Sequence, residues 1–424
     1  MLSSTRYKLL LPVVFVLAEV TFLALDRHSK RHPTISSIKE SKPGNCNSMQ
    51  QERLNRVNYI CSYSNFTLLE KGNNFSLGLI YAEKYKLAYL SIPKIGSTFL
   101  KKLFYVLKFG FRNAHKIFDR MRAEVHAMSG ELVARVNSSE LDHVITLVTA
   151  RNPYTRLYSA YIDKVYLPLS LGLGKSIIHE NHMMMLSRKV GNSSYTGKHG
   201  LQQNMDGLRQ QLGCTKDISF QDFLEFALTK PMKGKAMFDH YAPVSVLLSK
   251  YICKLKHLLV IKQETFADDI EYVLKLINVE KNVYELFYNH LYKDRAESSI
   301  ASIVDTTYRQ VRMQSDITRR PDCWNMPLVA ERLWKTFQIQ GYINDISDFP
   351  DFKFSEKSYH DPGYLIKIIQ NEVQNRPLSH YQMEEQRKRA FQKAYLNVSN
   401  YTLGKIRELY ATDFEIFGYD AIIQ

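Results

Sequence analysis

An α/β fold, a parallel sheet with helices packed on both faces, is the class this sequence predicts. Two strand-to-helix corners and one further apolar strand carry that expectation. Residues 87–92, Leu-Ala-Tyr-Leu-Ser-Ile, are an apolar, β-prone run bounded by Pro93, and residues 144–150, Val-Ile-Thr-Leu-Val-Thr-Ala, are another. Each runs into a turn and then into apolar residues at helical spacing. Leu258-Leu-Val-Ile261 supplies the further strand, followed by a helix that opens near Asp268. In folds of this class ligands sit at the carboxyl ends of the strands.

The first corner reads Pro93-Lys94-Ile95-Gly96-Ser97-Thr98. A strand, a tight turn and a helix start present backbone N–H groups to an anion. Gly96 permits close approach, Ser97 and Thr98 offer hydroxyls, and Lys94 adds a positive charge. The order differs from the nucleoside-triphosphate loop, where Lys follows the second Gly; here Lys94 precedes Gly96.

The second corner begins at Arg151, 57 residues beyond Lys94, and reads Arg151-Asn-Pro153-Tyr-Thr-Arg156-Leu-Tyr-Ser159-Ala-Tyr161. Pro153 falls in the first helical turn, where a missing N–H does no harm. Arg151 at the strand end and Ser159 two turns into the helix offer a charged fork and a hydroxyl to one phosphate.

The pair of corners resembles the two cofactor motifs of sulfotransferases that use 3′-phosphoadenosine 5′-phosphosulfate (PAPS). The first is similar to their 5′-phosphosulfate loop and the second to their 3′-phosphate motif, Arg-x-Pro-[Phe/Tyr]-x-Arg-Leu-x-Ser-Ala-[Tyr/Phe]. Further elements narrow the resemblance: Ser219-Phe-Gln-Asp-Phe223, Asp239-His-Tyr-Ala-Pro243, the strand at 258–261 and Tyr410-Ala-Thr-Asp-Phe-Glu-Ile-Phe-Gly-Tyr419. In this order they resemble the Golgi carbohydrate sulfotransferases of the HNK-1 and chondroitin/dermatan 4-O type, over residues 85–280 and 395–420. The chain departs from that pattern at Ser97, Phe99, Leu100 and Tyr241, where such enzymes tend to carry Cys, Asn or Trp, so the resemblance carries over the cofactor contacts but not the acceptor specificity.

The resemblance implies a P-loop-like, PAPS-dependent sulfotransferase fold, a glycan acceptor and no metal. Lys94 and residues Ile95, Gly96, Ser97 and Thr98 would meet the 5′-phosphosulfate, and Arg151 and Ser159 the 3′-phosphate. Arg156 is expected to brace the fold or an acceptor rather than touch the cofactor. The transfer needs a base for the acceptor hydroxyl and cations for the leaving bisphosphate. The catalytic candidates are Lys94 and two histidines, His126 between the cofactor motifs and His240 in the Asp-His element.

Composition agrees without deciding. The 424 residues carry a formal net charge of +15, which suits an anionic cofactor, and show no zinc-finger spacing, RNP-like motif or concentrated basic arm that would point to nucleic acid. Residues 9–25 are an apolar run just long enough to cross a bilayer, interrupted by Glu19 and flanked by basic residues. An uncleaved signal-anchor is favoured over a cleaved signal, because Leu23-Ala-Leu25 makes a poor cleavage site. The expected organisation is a cytosolic tail (1–8), a single-pass type II anchor in the Golgi membrane (9–25), a polar stem (26–59) and a luminal sulfotransferase domain (60–424). Six Asn-x-Ser/Thr sequons, at Asn65, Asn74, Asn137, Asn192, Asn397 and Asn400, agree with a glycosylated luminal side.

Five cysteines without C-x-x-C spacing allow one or two disulfides of unspecified pairing and leave at least one thiol. Residues 113–136 read as mostly helical. Residues 167–213 read as a long acceptor-binding or lid loop containing His179-Glu-Asn-His182, one residue short of zinc-protease spacing. Ser219 and Asp222 predict a capping box. Residues 280–390 read as a family-atypical helical insertion packed by Trp324, Trp334, Phe337 and Tyr342, while Phe414, Ile416, Phe417 and Tyr419 belong in a core. The function expected is sulfuryl transfer from PAPS to a glycan hydroxyl, of a glycosaminoglycan or an N- or O-glycan. The alternatives are a catalytically silent glycan-binding relative, a tyrosylprotein sulfotransferase and, against the order of Lys94 and Gly96, a nucleotide kinase.

Overall fold

The computed structural model describes residues 43–63, 78–118, 120, 122–133, 140–190, 214–229, 237–292, 295–313 and 322–423. Cys46–Gln424 forms one compact unit, to which the elements below belong. The expected anchor at 9–25 and the sequons at Asn65, Asn74, Asn137 and Asn192 lie outside the described residues. Among the described residues no helix is long and apolar enough to cross a membrane. Asn397 and Asn400 are both exposed.

Four strands form one sheet in the order β1 (Leu79–Ala82), β2 (Leu87–Leu90), β3 (Ile145–Ala150), β4 (Leu258–Lys262). β2, β3 and β4 are parallel, as expected, but β1 is antiparallel to β2, so the sheet is mixed rather than purely parallel. The connecting turn contains no Gly or Asn. It closes by putting Lys86 into the left-handed region at φ 46°, which conceals the hairpin from sequence pattern.

Alternation along the strands feeds two cores. Ala88, Leu90, Val148, Ala150 and Val260 face the helix Pro153–Tyr161 and the segments Phe220–Leu228 and Val244–Leu248. Leu87, Tyr89, Leu147 and Ile261 face the helices Ser97–Phe109, Phe266–Leu276 and Lys281–Tyr292. A third core gathers Ile300, Tyr308, Trp324, Trp334, Phe337 and Leu365, the helical packing expected of residues 280–390.

Two expectations change. The interval read as the end of a stem is a helix, Pro43–Tyr63. Gln50 Nε2 donates to the Val260 carbonyl, and Gln50 Oε1 accepts from Val260 N–H, both at 3.1 Å. Arg53 pairs with Asp269 at 2.8 Å. A carboxamide thus satisfies the open edge of β4, and because polar residues make this docking, hydrophobic periodicity does not reveal it. The region read as a loop from 167 is helical over Leu171–Val190, placing His179 on an exposed helical position.

The capping box forms at Ser219 and Asp222. Disulfides join Cys61 to Cys253 and Cys214 to Cys323, leaving Cys46 as the free thiol. The first ties the docked N-terminal helix to the body across 192 residues of sequence. Phe414, Ile416 and Phe417 are buried as expected.

Candidate active site

The two corners meet. Lys94 adopts φ 70°, a left-handed conformation that is costly for a side chain with a Cβ. The second corner grips it there: Arg151 Nη1 donates to the Lys94 carbonyl at 3.1 Å, and Arg156 Nε donates to the Pro93 carbonyl at 3.4 Å. Gly96, at φ 64°, caps the helix Ser97–Phe109 with no side-chain hydrogen bond to its first N–H groups. A Cβ at Gly96 would lie 2.4 Å from the Phe266 ring, so only glycine closes this turn. The result is an uncapped helix N-terminus beside a lysine.

Beyond Tyr161 the second helix widens into a π-helical turn, Ile162–Tyr166. It carries Asp163, whose carboxylate meets Lys94 Nζ at 2.9 Å, Arg122 Nη1 at 2.6 Å and Lys164 Nζ at 3.3 Å. Burial by itself would push the Asp163 carboxyl up; Arg122, Lys94 and Lys164 outweigh it and hold it well below the usual range. Burial lowers Lys94 to about 7, with Asp163 opposing and Arg122 and Lys164 reinforcing the drop. Arg151 is likewise lowered by burial, to about 10. Its Nε is held by Thr155 Oγ1 at 3.1 Å, and Nη2 has no protein partner among the described residues. The half-buried Ser159 hydroxyl also has none among the described residues.

The two histidines stand in different environments. His126 Nδ1 lies 2.9 Å from Lys101 Nζ and its Nε2 lies 3.2 Å from Thr98 Oγ1. Burial first, then Lys101 and Arg122, lowers it to about 3. Since an ammonium only donates, Nδ1 is the acceptor and Nε2 carries the hydrogen toward Thr98. His240 Nδ1 lies 3.0 Å from the Asp239 carboxylate, which makes Nδ1 the protonated nitrogen and leaves the Nε2 lone pair outward. Burial lowers His240 too, with Asp239 opposing.

The turn bearing His240 is clamped from two sides. Arg156, 2% exposed, donates Nη2 to the Asp239 carbonyl at 2.8 Å and Nη1 to the Ala242 carbonyl. From the C-terminal segment, the Tyr410 hydroxyl donates to the Tyr241 carbonyl, and both Asp413 oxygens accept backbone N–H bonds from Val244 and Ser245 at 2.7 Å. Arg156 braces as expected, and it fixes the His240 turn relative to the Lys94 loop.

The model of the Sulfotransferase family matches residues 78–320, which include both corners and both histidines. The chain belongs to the sulfotransferase family. Human carbohydrate sulfotransferase 9 is 26% identical over 303 residues, covering 68% of this chain and 60% of that protein. The aligned part therefore spans about 60% of the length of this relative. No solved structure gives a significant match.

Within this sulfotransferase-family chain the structure brings Lys94, Ile95, Gly96, Ser97, Thr98, Arg151, His126 and His240 into one neighbourhood, with Ser159 one turn before Asp163. Sequence reading missed Lys101, Arg122, Asp163 and Lys164. Arg122 lies four residues before His126 on one helical face, a signal that spacing offers but does not single out. Among the described residues, the group of potential metal-ligating side chains is Cys214, Asp322 and Cys323, and its two sulfurs are already joined.

Proposed function

We propose that this protein transfers a sulfuryl group from PAPS to a hydroxyl of a glycan, in the Golgi lumen. The observation that carries the reading is the grip of Arg151 on the Lys94 carbonyl, which makes one anion-receiving surface out of two distant motifs. The family's donor fits what is built there: a glycine turn that a Cβ would fill, an uncapped helix N-terminus, a Ser159 hydroxyl without a partner among the described residues and an excess of cations. Lys94 and the backbone of residues 95–98 would hold the 5′-phosphosulfate, and Arg151 and Ser159 the 3′-phosphate. When bound, PAPS supplies an activated sulfuryl group and a bisphosphate leaving group.

His240 is the base. Its Nε2 takes the acceptor proton, while Asp239 fixes the tautomer and stabilises the imidazolium that forms. His126 has both nitrogens engaged and instead anchors Thr98 and Lys101. Lys94 and Arg122 stabilise negative charge as it develops.

A carbohydrate acceptor is supported by the likeness to human carbohydrate sulfotransferase 9. A Golgi setting is supported by two disulfides, which belong to oxidising compartments, and by the apolar segment 9–25 as a signal-anchor. The test is transfer of radiolabelled sulfate from PAPS to a panel of glycans and tyrosine peptides. Label on a glycan, lost in His240→Ala, supports the reading. Label on tyrosine alone, or bisphosphate binding without any transfer, overturns it.

A further inference from the structure

The site contains a carboxylate that no step above uses. Asp163 is buried with a side chain 10% exposed, and three cations from three segments point at it: Lys94 from the loop, Arg122 from the helix Arg122–Met128 and its neighbour Lys164. Arg122 binds it as a fork, Nη1 to Oδ1 at 2.6 Å and Nη2 to Oδ2 at 3.1 Å. We propose that Asp163 is a positioning residue, a shared counter-ion that holds Lys94, Arg122 and Lys164 converged on the place where the sulfuryl and 5′-phosphate oxygens are received. This rests on the donor reading of Lys94 given above.

The argument is electrostatic. Protonated Lys94, Arg122 and Lys164, each mostly shielded from water, would repel one another and swing toward solvent; one carboxylate holds all three and leaves a net positive charge for an arriving anion. The backbone is arranged for this. The Leu167 N–H reaches back to the Ile162 carbonyl at 3.0 Å, the five-residue step of a π-turn, and such turns interrupt helices chiefly at functional sites. Asp163 also lies four residues after Ser159 and seven after Arg156, on the helix face that grips the loop.

Asp163 further sets the charge of Lys94. The charged and titratable groups facing that amine are Asp163 and Lys164 on the π-turn, Arg122, and His240. Asp163 favours the ammonium; Arg122 and Lys164 oppose it. Removing the carboxylate drives Lys94 toward its neutral form at physiological pH, and removing Arg122 drives it the other way.

The test uses the full chain and two readouts. The pH dependence of reductive methylation at Lys94, read by peptide mass spectrometry, reports the amine directly. Binding of adenosine 3′,5′-bisphosphate between pH 6 and 9 reports the site. In Asp163→Asn the methylation midpoint moves down by about one pH unit or more, and affinity at pH 8 falls about tenfold or more, with a smaller loss at pH 6. Arg122→Gln moves the midpoint up, and carries the test even where Asp163→Asn does not fold. Midpoints unchanged in both variants, or a binding loss equal at pH 6 and 8, overturn the proposal. Wild-type protein that binds no bisphosphate defeats the donor reading, while the methylation shifts still decide the role of Asp163.

Discussion

Arg151 donates to the carbonyl of Lys94 at 3.1 Å, so a residue at the end of β3 holds the backbone of the loop that follows β2. The loop conformation and the second corner are therefore one construction, and damage to either is felt by both. Arg151→Ala loses the fork and releases the strained Lys94 backbone; Lys94→Ala loses the charge alone. Each weakens binding to immobilised adenosine 3′,5′-bisphosphate by about 10-fold to 100-fold. Normal retention by both variants would remove the site.

Gly96→Ala is expected to be more damaging than its one added methyl suggests. The new Cβ meets the Phe266 ring at 2.4 Å and sits at φ 64°. A cost of about 1–3 kcal/mol is expected from the backbone alone. Adding Phe266→Ala restores room but not the backbone conformation, so the double variant recovers only part of the lost bisphosphate binding. Full recovery would show that crowding, not backbone geometry, dictates glycine.

The two histidines separate kinetically. His240→Ala lowers kcat by about 10²- to 10⁴-fold and leaves bisphosphate affinity unchanged. His126→Gln raises the KM for donor, through Thr98 and Lys101, with kcat within about tenfold of wild type. The reverse pattern in steady-state kinetics would exchange their roles.

Stability should fall with acid well before the carboxylates titrate. His126 sits at about 3 in the folded protein against an ordinary 6.5, because burial and then Lys101 and Arg122 oppose its charge. The unfolded chain therefore binds a proton that the fold refuses; the penalty is absent above about 6.5 and grows as pH falls toward 3. Asp163, depressed in the fold, adds to the loss only below its ordinary 3.8. Denaturant midpoints between pH 7 and 4.5 should decline in wild type and decline less steeply in His126→Gln, where His240, also lowered by burial, keeps part of the slope. Parallel slopes would discount the buried imidazole.

Gln50→Ala strips β4 of its edge partner. The Val260 N–H loses its acceptor while the carbonyl keeps Arg53 Nη1 at 2.6 Å, so the cost is about 1–3 kcal/mol for one buried group left unmet. Hydrogen exchange at Val260 should accelerate in the variant. Unchanged exchange would mean that the Gln50 carboxamide does not protect the edge.

The corners were legible because their chemistry is written in adjacent residues: a strand, a breaker, a glycine and a helix start. The parts that were not legible depend on distant partners. Asp163 looks like an ordinary helical acid until Lys94, 69 residues earlier, is seen beside it. The Pro43–Tyr63 helix docks through Gln50 and Arg53, types that pattern reading assigns to solvent. The β1 hairpin turns on a left-handed Lys86, where pattern reading looks for Gly or Asn. The choice between His126 and His240 needed hydrogen-bond partners, and spacing supplies none.

The clamp of Tyr410 and Asp413 on the His240 turn has a consequence for the order of assembly. The residues proposed to receive the donor all lie before residue 170, whereas the turn bearing the proposed base is secured by residues some 170 positions after it. On that proposal the base is not locked in place until the last helices have docked, which makes the C-terminal segment part of the construction of the active site.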